Sequence, residues 1–336
     1  MYSTLENRFE SIDILRGVAA LSVCIYHFSN GLLGFLSDEN VLKIIGQYGY
    51  LGVQLFFIIS GFIIPFSLYK GNYNSTKIVA FFSKRIIRIH PPYLVSILLA
   101  IMLKYVSTFS SLYQGPEFNI SIQNILCHIG YLCDIFNEDW INPVYWTLAI
   151  EFQFYILIAL CYTHFIATKN NYLFYTALLL LNIPALISLT NPDYILHYIS
   201  YFTLGIVYFR TILNKIKPVE FYILTSLLLL DIYIVHGGGE MIASALTVLI
   251  ILVVKKSSAP FNFLGKISFS LYLLHIIIGS RLINLSVNFT QNEGYRVLII
   301  FIALLLSIVC SYVFYLFIEK PFMKLSQNIL YTKTNV

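Results

Sequence analysis

Ten apolar segments, each 15 to 24 residues long, follow one another along this chain, and most of the connections between them are short and polar. A bilayer core about 30 Å thick needs roughly 20 apolar residues in an α-helix, which rises about 1.5 Å per residue. Only 11% of the residues are charged and 58% are hydrophobic, against about 25% charged in soluble domains. The sequence therefore predicts an all-α, polytopic transmembrane helical bundle of about ten spans. The predicted spans are residues 11–33, 49–69, 87–108, 145–166, 172–189, 194–212, 219–235, 240–254, 264–284 and 295–318.

Lysine and arginine predict how this bundle is oriented. With both termini cytoplasmic, 17 of the 21 Lys and Arg residues lie inside and four outside, and cytoplasmic loops are enriched in these residues. The four outside residues are Lys43, Lys104, Arg281 and Arg296. The same bias accounts for the net charge of +5, so we expect contact with membrane lipid and no nucleic acid. The expected location is the cell (inner) membrane, as a multi-pass protein.

The chain is predicted to form one transmembrane domain, residues 8–325, with a short cytoplasmic tail at 326–336. The longest loop, 109–144, is expected outside. Its apolar middle is too short to span the bilayer, which suggests an interfacial or re-entrant helix. Cys127 and Cys133 share this loop and can form a disulfide if it is extracytoplasmic. The cysteines show no metal-ligand spacing, and no metal is expected.

The first span carries three ionisable residues, Asp13, Arg16 and His27. Such residues are costly in lipid and usually face a bundle interior with a purpose. At about 100° per residue, Arg16 and His27 fall within about 20° of one helix face, about 16 Å apart along the axis. Asp13 lies close enough to Arg16 to pair with it at i, i+3. We therefore expect a cation near the inner surface and an imidazole in the outer half of the membrane.

The fourth span places Glu151 about 9 Å below the outer surface, at a depth similar to that of His27. A carboxylate can hold an imidazole in one tautomer and make it a better general base. Depth alone suggests their proximity, and an unrelated polar contact in the bundle stays open for both residues.

Arg85 and Arg88 share a helix face at the start of the third span. Guanidinium groups suit phosphate recognition, although anchoring by the positive-inside rule explains a basic cluster equally well on spacing alone. Pro91 and Pro92 follow, and they indicate a bend or an offset helix start.

Several other residues receive structural expectations. Gly52 and Gly61 of the second span allow close helix approach, and Ser60 beside them has no base near it in the sequence. His275 near the middle of the ninth span can be a packing, hydrogen-bonded or catalytic residue. His236 is expected to be solvated in a flexible Gly-rich turn, and the Glu319-Lys320-Pro321 sequence to stop the last helix.

Taken together, these segments resemble the membrane-bound acyltransferase-3 family, over about residues 8–325. Each piece alone is weak, but they occur in one order on one scaffold. The matching pieces are Asp13-Ile14-Leu15-Arg16-Gly17 with His27, the run Gly52–Phe62, Arg85-Ile86-Ile87-Arg88 with Pro92-Tyr93, Trp146-Thr147-Leu148 with Glu151 and Phe154-Tyr155, and Ser270–His275.

The resemblance implies an O-acetyltransferase acting on bacterial surface polysaccharides. The family's arginine–histidine motif falls on Arg16 and His27, and its RxxR motif on Arg85 and Arg88. Thr147 stands where serine is more usual. Some members carry a periplasmic hydrolase-like domain after the last span, so we expect this chain to transfer without one or to hand the acyl group to a partner.

The expected mechanism follows from this resemblance and from the depths. Acetyl-CoA, or another acyl-CoA, is the donor from the cytoplasm, with its phosphates near Arg16, Arg85 and Arg88. His27 acts as general base or transient acyl carrier, and Glu151 orients it. The acceptor is a hydroxyl of a polysaccharide or lipid-linked glycan, such as lipopolysaccharide or exopolysaccharide.

Two other classes stay open. A polysaccharide or small-solute transporter also needs a polar stripe, but no internal repeat of the kind found in many transporters is visible. A membrane sensor or scaffold would not depend on His27. The sequence leaves the acyl group and homo-oligomer formation open.

Overall fold

The computed structural model describes residues 2–111, 119–187, 190–254, 256 and 258–331, with side chains from residue 10 onward. Lys255 and Lys333 of the predicted inner set, Glu117 of the long loop and the tail after residue 331 lie outside the described residues. Throughout the described ranges the regular structure is helical. The helices are α1 (Tyr2–Asn30), α2 (Val41–Gly46), α3 (Gly52–Lys70), α4 (Ile78–Ser107), α5 (Ile122–Gly130), α6 (Trp146–Cys161), α7 (Asn171–Leu186), α8 (Ile195–Ile212), α9 (Pro218–Val235), α10 (Gly238–Val253), α11 (Ala259–His275), α12 (Arg281–Ser286), α13 (Glu293–Phe314) and α14 (Lys320–Gln327).

The all-α membrane bundle is confirmed, and each of the ten predicted spans coincides with a helix. Seven described helical stretches are long and apolar enough to cross a membrane. They are Glu10–Asn30, Val41–Lys70, Ser75–Ser107, Pro143–Ile166, Pro218–Val235, Ala259–Ser286 and Glu293–Gln327. The apolar helices α7 and α10 are shorter, with 16 residues each. α8, 18 residues long, is buried along most of its length.

Glycines bring α1 into close contact with its neighbours. A Cβ on Gly265 of α11 would meet the backbone carbonyl of Asp13, and one on Gly52 of α3 would meet that of Ala19. Gly61 in turn packs against the backbone of Phe202 in α8. The predicted role of Gly52 and Gly61 in close packing is thus confirmed, and α1 is fixed between α3 and α11.

Segments predicted to share a side of the membrane contact one another. The backbone amide of Ser37 donates to the Glu293 carboxylate (2.9 Å), which joins two predicted outer connections. Arg210 donates to the carbonyls of Ile166 (2.7 Å) and Thr168 (3.1 Å), which joins two predicted inner ones.

The third span differs from its prediction at its start. α4 begins at Ile78, nine residues before the expected residue 87, and runs through Pro91 and Pro92 without ending. The prolines therefore do not mark the helix start, although each removes a helical hydrogen-bond donor.

The described part of the long loop contains the short helix α5, in which polar residues are buried and apolar residues are exposed. Its polar Asn124 and His128 are buried, whereas Ile122 and Leu126 are exposed. An exposed apolar face is typical of a helix at the membrane interface, as predicted. Cys127 and Cys133 are free thiols in this structure.

Candidate active site

A cavity in the middle of the bundle is lined by residues of α1, α3, α4, α6 and α11 and of the helical turn before α14. It contains about 940 Å³ of empty space, including open solvent at its mouth. Its charged lining residues are three arginines and two glutamates: Arg16, Arg85, Arg88, Glu151 and Glu319. The structure thus gathers all three predicted phosphate-binding arginines in one place.

These guanidinium groups are not neutralised by direct contact. In the described part of the chain, the one ion pair within 4.0 Å is Lys43–Asp38. Arg85 is 5% exposed, and its Nε atom has no hydrogen-bond partner among the described residues. Asp13 and Arg16, which the sequence places close enough to pair, form no ion pair within 4.0 Å in the described structure, and Arg16 lines the cavity. A buried, unsatisfied donor costs free energy, and an anion bound beside Arg85 would satisfy it.

Glu151 lies in this arginine cavity. Its Oε1 atom accepts hydrogen bonds from the Ser60 hydroxyl (3.0 Å) and the Tyr155 hydroxyl (2.7 Å). Across the described residues, no hydrogen bond joins it to His27. Glu151 is therefore hydrogen-bonded to Ser60 and Tyr155 and not, as had been expected, to His27. Two residues at equal depth need not lie on helix faces that point at each other. Ser60 thus has a carboxylate beside it, which the spacing of residues in the sequence did not reveal.

Glu319 was expected only to stop a helix, but it is a cavity residue. The chain continues from α13 through a widened helical turn, Tyr315–Glu319, directly into α14. Glu319 is 5% exposed and accepts a 2.5 Å hydrogen bond from the Ser270 hydroxyl. Widened turns of this kind often occur at functional sites, and here the turn aims a carboxylate at the arginines.

His27 lies apart from the residues that line the cavity and contacts His275. The centroids of the two imidazole rings are 5.2 Å apart. His27 is partly exposed, whereas His275 is fully buried. Tyr272 borders both places, because its side chain lines the cavity and its ring centroid lies 5.9 Å from that of His275.

Comparison with known proteins identifies this scaffold. A family model described as an acyltransferase domain matches residues 9–316. The chain belongs to the acyltransferase-3 family. The resemblance predicted from the motifs is thereby confirmed.

Curated relatives of this acyltransferase-3 chain include the O-acetyltransferase OatA of Staphylococcus aureus strain NCTC 8325, 26% identical over 374 aligned residues. OatA of strain MRSA252 shows the same identity. In both cases the alignment covers 93% of this chain and 57% of the relative, so the chain spans little more than half the length of these proteins. No solved structure matches the chain significantly.

Three polar residues of the acyltransferase-3 cavity had no predicted role in a site, although Tyr155 and Tyr272 lie in the matching motifs; the third is Glu319. The signal for Glu319 was available, since a carboxylate at the end of an apolar span is costly unless it serves a purpose. Tyrosine gives no comparable signal, because 26 tyrosines occur in this chain.

The expected solvated state of His236 is wrong. Its Nε2 atom lies 2.9 Å from the carbonyl oxygen of His197, and its ring stacks on Tyr198 at 5.8 Å between centroids. Gly237 adopts a φ of 117°, a backbone conformation that favours glycine. The turn is therefore held by packing.

Proposed function

We propose that this protein is an integral-membrane O-acetyltransferase that moves an acetyl group from cytoplasmic acyl-CoA to a hydroxyl of a cell-surface polysaccharide or glycolipid. The observation that carries the proposal is a set of three guanidinium groups in one bundle cavity that form no ion pair within 4.0 Å with any described residue. The names of the S. aureus relatives support the same reaction class.

Arg16, Arg85 and Arg88 are proposed to bind the phosphates of the donor. Coenzyme A carries several phosphate charges, and guanidinium groups bind phosphate through paired hydrogen bonds. The orphaned Nε of Arg85 supports this role, because an anion would satisfy it. Glu151 and Glu319 then offset part of the positive charge when the cavity is empty.

The donor is proposed to enter this cavity with its phosphates and to extend its thioester towards His27. The path leads past Tyr272, whose ring contacts that of Phe56 at 5.6 Å between centroids. The family match and the names of the relatives favour this proposal over the alternative function, a polysaccharide or solute transporter.

His27 is proposed to take the proton of the acceptor hydroxyl. The hydroxyl oxygen attacks the thioester carbonyl carbon, a C–O bond forms and the C–S bond breaks. The leaving thiolate then recovers the proton from the His27 imidazolium, which balances the transfer. In the carrier variant of this mechanism, the imidazole itself attacks the thioester and passes the acyl group to the hydroxyl.

The test uses membranes with wild type, His27→Ala or His164→Ala, supplied with radiolabelled acetyl-CoA on the cytoplasmic side. His164 is exposed and outside the cavity, so its variant controls for loss of a histidine. We expect label in the glycan fraction with wild type and His164→Ala, and none with His27→Ala at equal protein level. Equal labelling by His27→Ala would remove His27 from the chemistry. Labelling by none of the three would refute acetyl-CoA as donor, and coenzyme A binding would then separate a wrong acyl group from the transporter function.

A further inference from the structure

We infer that His275 is a positioning residue for His27: its Nε2 atom accepts a hydrogen bond from His27 and so sets which imidazole nitrogen of His27 faces the acceptor hydroxyl. This inference rests on the proposed function, and it assigns to a second histidine the role expected for Glu151.

The tautomer of His275 follows from its backbone contacts. Its Nδ1 atom lies 2.8 Å from the carbonyl oxygen of Tyr272 and 3.1 Å from that of Leu271. A carbonyl oxygen only accepts hydrogen bonds, so Nδ1 carries the proton and donates. In the neutral ring the lone pair is then on Nε2.

That lone pair accepts no hydrogen bond from the described part of the chain. His275 is 0% exposed, and its Nε2 atom is buried without a hydrogen-bond partner. Buried polar atoms are nearly always satisfied, and an exception needs an explanation. Of the rings that contact His275, which are those of His27, Phe28 and Tyr272, that of His27 carries an N–H group.

The spacing of the rings suits this contact. A separation of 5.2 Å between centroids accommodates one N–H···N hydrogen bond of about 3 Å together with the distances from the two ring centres to their nitrogens. The rings are inclined at 45° and no direct bond joins them among the described contacts, so we infer that the bond forms when the side-chain torsions of His27 change.

The roles within the pair are fixed by exposure. His275 is fully buried and cannot touch an acceptor, whereas His27 is partly exposed. The other rings against the pair are those of Tyr26, Phe28 and Tyr272. A neutral imidazole stabilises the His27 imidazolium less than a carboxylate would, so His27 can return its proton to the leaving thiolate.

The test compares His275→Leu with His275→Gln, because the glutamine side chain can place an acceptor oxygen where Nε2 lies. We expect His275→Leu to lower kcat at least 100-fold with the KM for acetyl-CoA within threefold of wild type. His275→Gln should recover at least tenfold of that loss. Equal kcat values for the two variants would overturn the inference.

His128 supplies the matched control, since it is also fully buried with Nδ1 on a helix carbonyl, that of Asn124 at 2.7 Å. His128→Leu should lower thermal stability and leave kcat per folded protein unchanged. If it lowers kcat as much as His275→Leu does, the effect is structural and the positioning role falls.

A spectroscopic readout separates this inference from the proposed function. Nitrogen-15 NMR of histidine-labelled protein, with His27 assigned by His27→Ala, reports which nitrogen carries the proton. We expect one tautomer of His27 in wild type and His275→Gln, and a mixture in His275→Leu. A single tautomer in all three would refute positioning by His275, whether or not acetyl transfer is observed.

Discussion

The hydroxyl of Tyr155 donates a 2.7 Å hydrogen bond to the carboxylate of Glu151, one helical turn away on the same helix. The Ser60 hydroxyl reaches the same oxygen from a neighbouring helix. Two donors therefore fix this carboxylate on the cavity side of α6, where its charge acts on the arginines.

Glu151→Gln should therefore affect donor binding more than the chemical step. The amide keeps the size of the side chain and removes one negative charge beside three guanidinium groups, so we expect kcat to fall less than tenfold and the KM for acetyl-CoA to change. Initial rates at varied acetyl-CoA measure both. A loss of activity as complete as that expected for His27→Ala would contradict this and would support a direct action of Glu151 on His27.

Arg85→Lys should weaken coenzyme A binding by about 10- to 100-fold, because a hydrogen bond to a charged group contributes about 1.5–3 kcal/mol and lysine lacks the guanidinium fork. Calorimetric titration of purified protein with coenzyme A measures this without turnover.

Arg296→Lys is the matched control for that titration. Arg296 is equally an arginine of a helix, but it bonds the carbonyls of Gly34 and Phe35, away from the cavity. We expect its Kd for coenzyme A to stay at the wild-type value. A Kd for Arg85→Lys no weaker than that of this control would contradict the donor site.

The stability of the long loop should fall below about pH 6.5. Burial lowers the pKa of His128 from its usual value of 6.5, so the folded loop holds the neutral ring, which accepts the amide of Ile141 at 2.9 Å. At lower pH the unfolded loop binds a proton that the folded loop does not, and the free energy of unfolding falls by up to about 1.4 kcal/mol per pH unit until the folded pKa is passed.

Hydrogen exchange of residues 119–142 between pH 7.5 and 5.5 measures this effect, after correction for the intrinsic exchange rate. His128→Gln removes the titrating group and should abolish the pH dependence. A loop that is equally protected at both pH values in wild type would show that His128 does not govern it.

Gly265→Ala should destabilise the bundle by about 1–3 kcal/mol through overpacking. The added Cβ would meet the backbone of Asp13, and it would push α1 away from α11. Thermal unfolding in detergent measures the loss. Gly238→Ala is the control, because the nearest atom to its Cβ lies 3.9 Å away. A Gly265→Ala variant as stable as this control would mean that α1 tolerates displacement.

The helices could be predicted from the sequence because apolar length is a local property. The ten predicted spans correspond to α1, α3, α4, α6–α11 and α13. The predicted start of α4 was nine residues too late. Proline favours a helix boundary, but tertiary packing can carry a helix through it, and this packing is not visible in the sequence.

The three arginines were predicted at the same end of the bundle, so their meeting in one cavity could be expected from the sequence. The partners of Glu151 and His27 could not be predicted in this way. Helical periodicity gives the direction of a side chain relative to its own helix. It does not give the order of the helices around the bundle, which decides that His275, and not Glu151, lies beside His27.

The close packing of α1 against Gly52 and Gly265 fixes the rotation of that helix as well as its position. One residue inserted between Arg16 and His27 would turn one of them by about 100° relative to the other and shift it by about 1.5 Å. The number of residues between Arg16, proposed to bind the donor, and His27, the proposed base, therefore fixes how the two side chains are oriented relative to each other. We expect lineages of this chain to exchange side chains along that interval freely on the lipid side and to conserve its length.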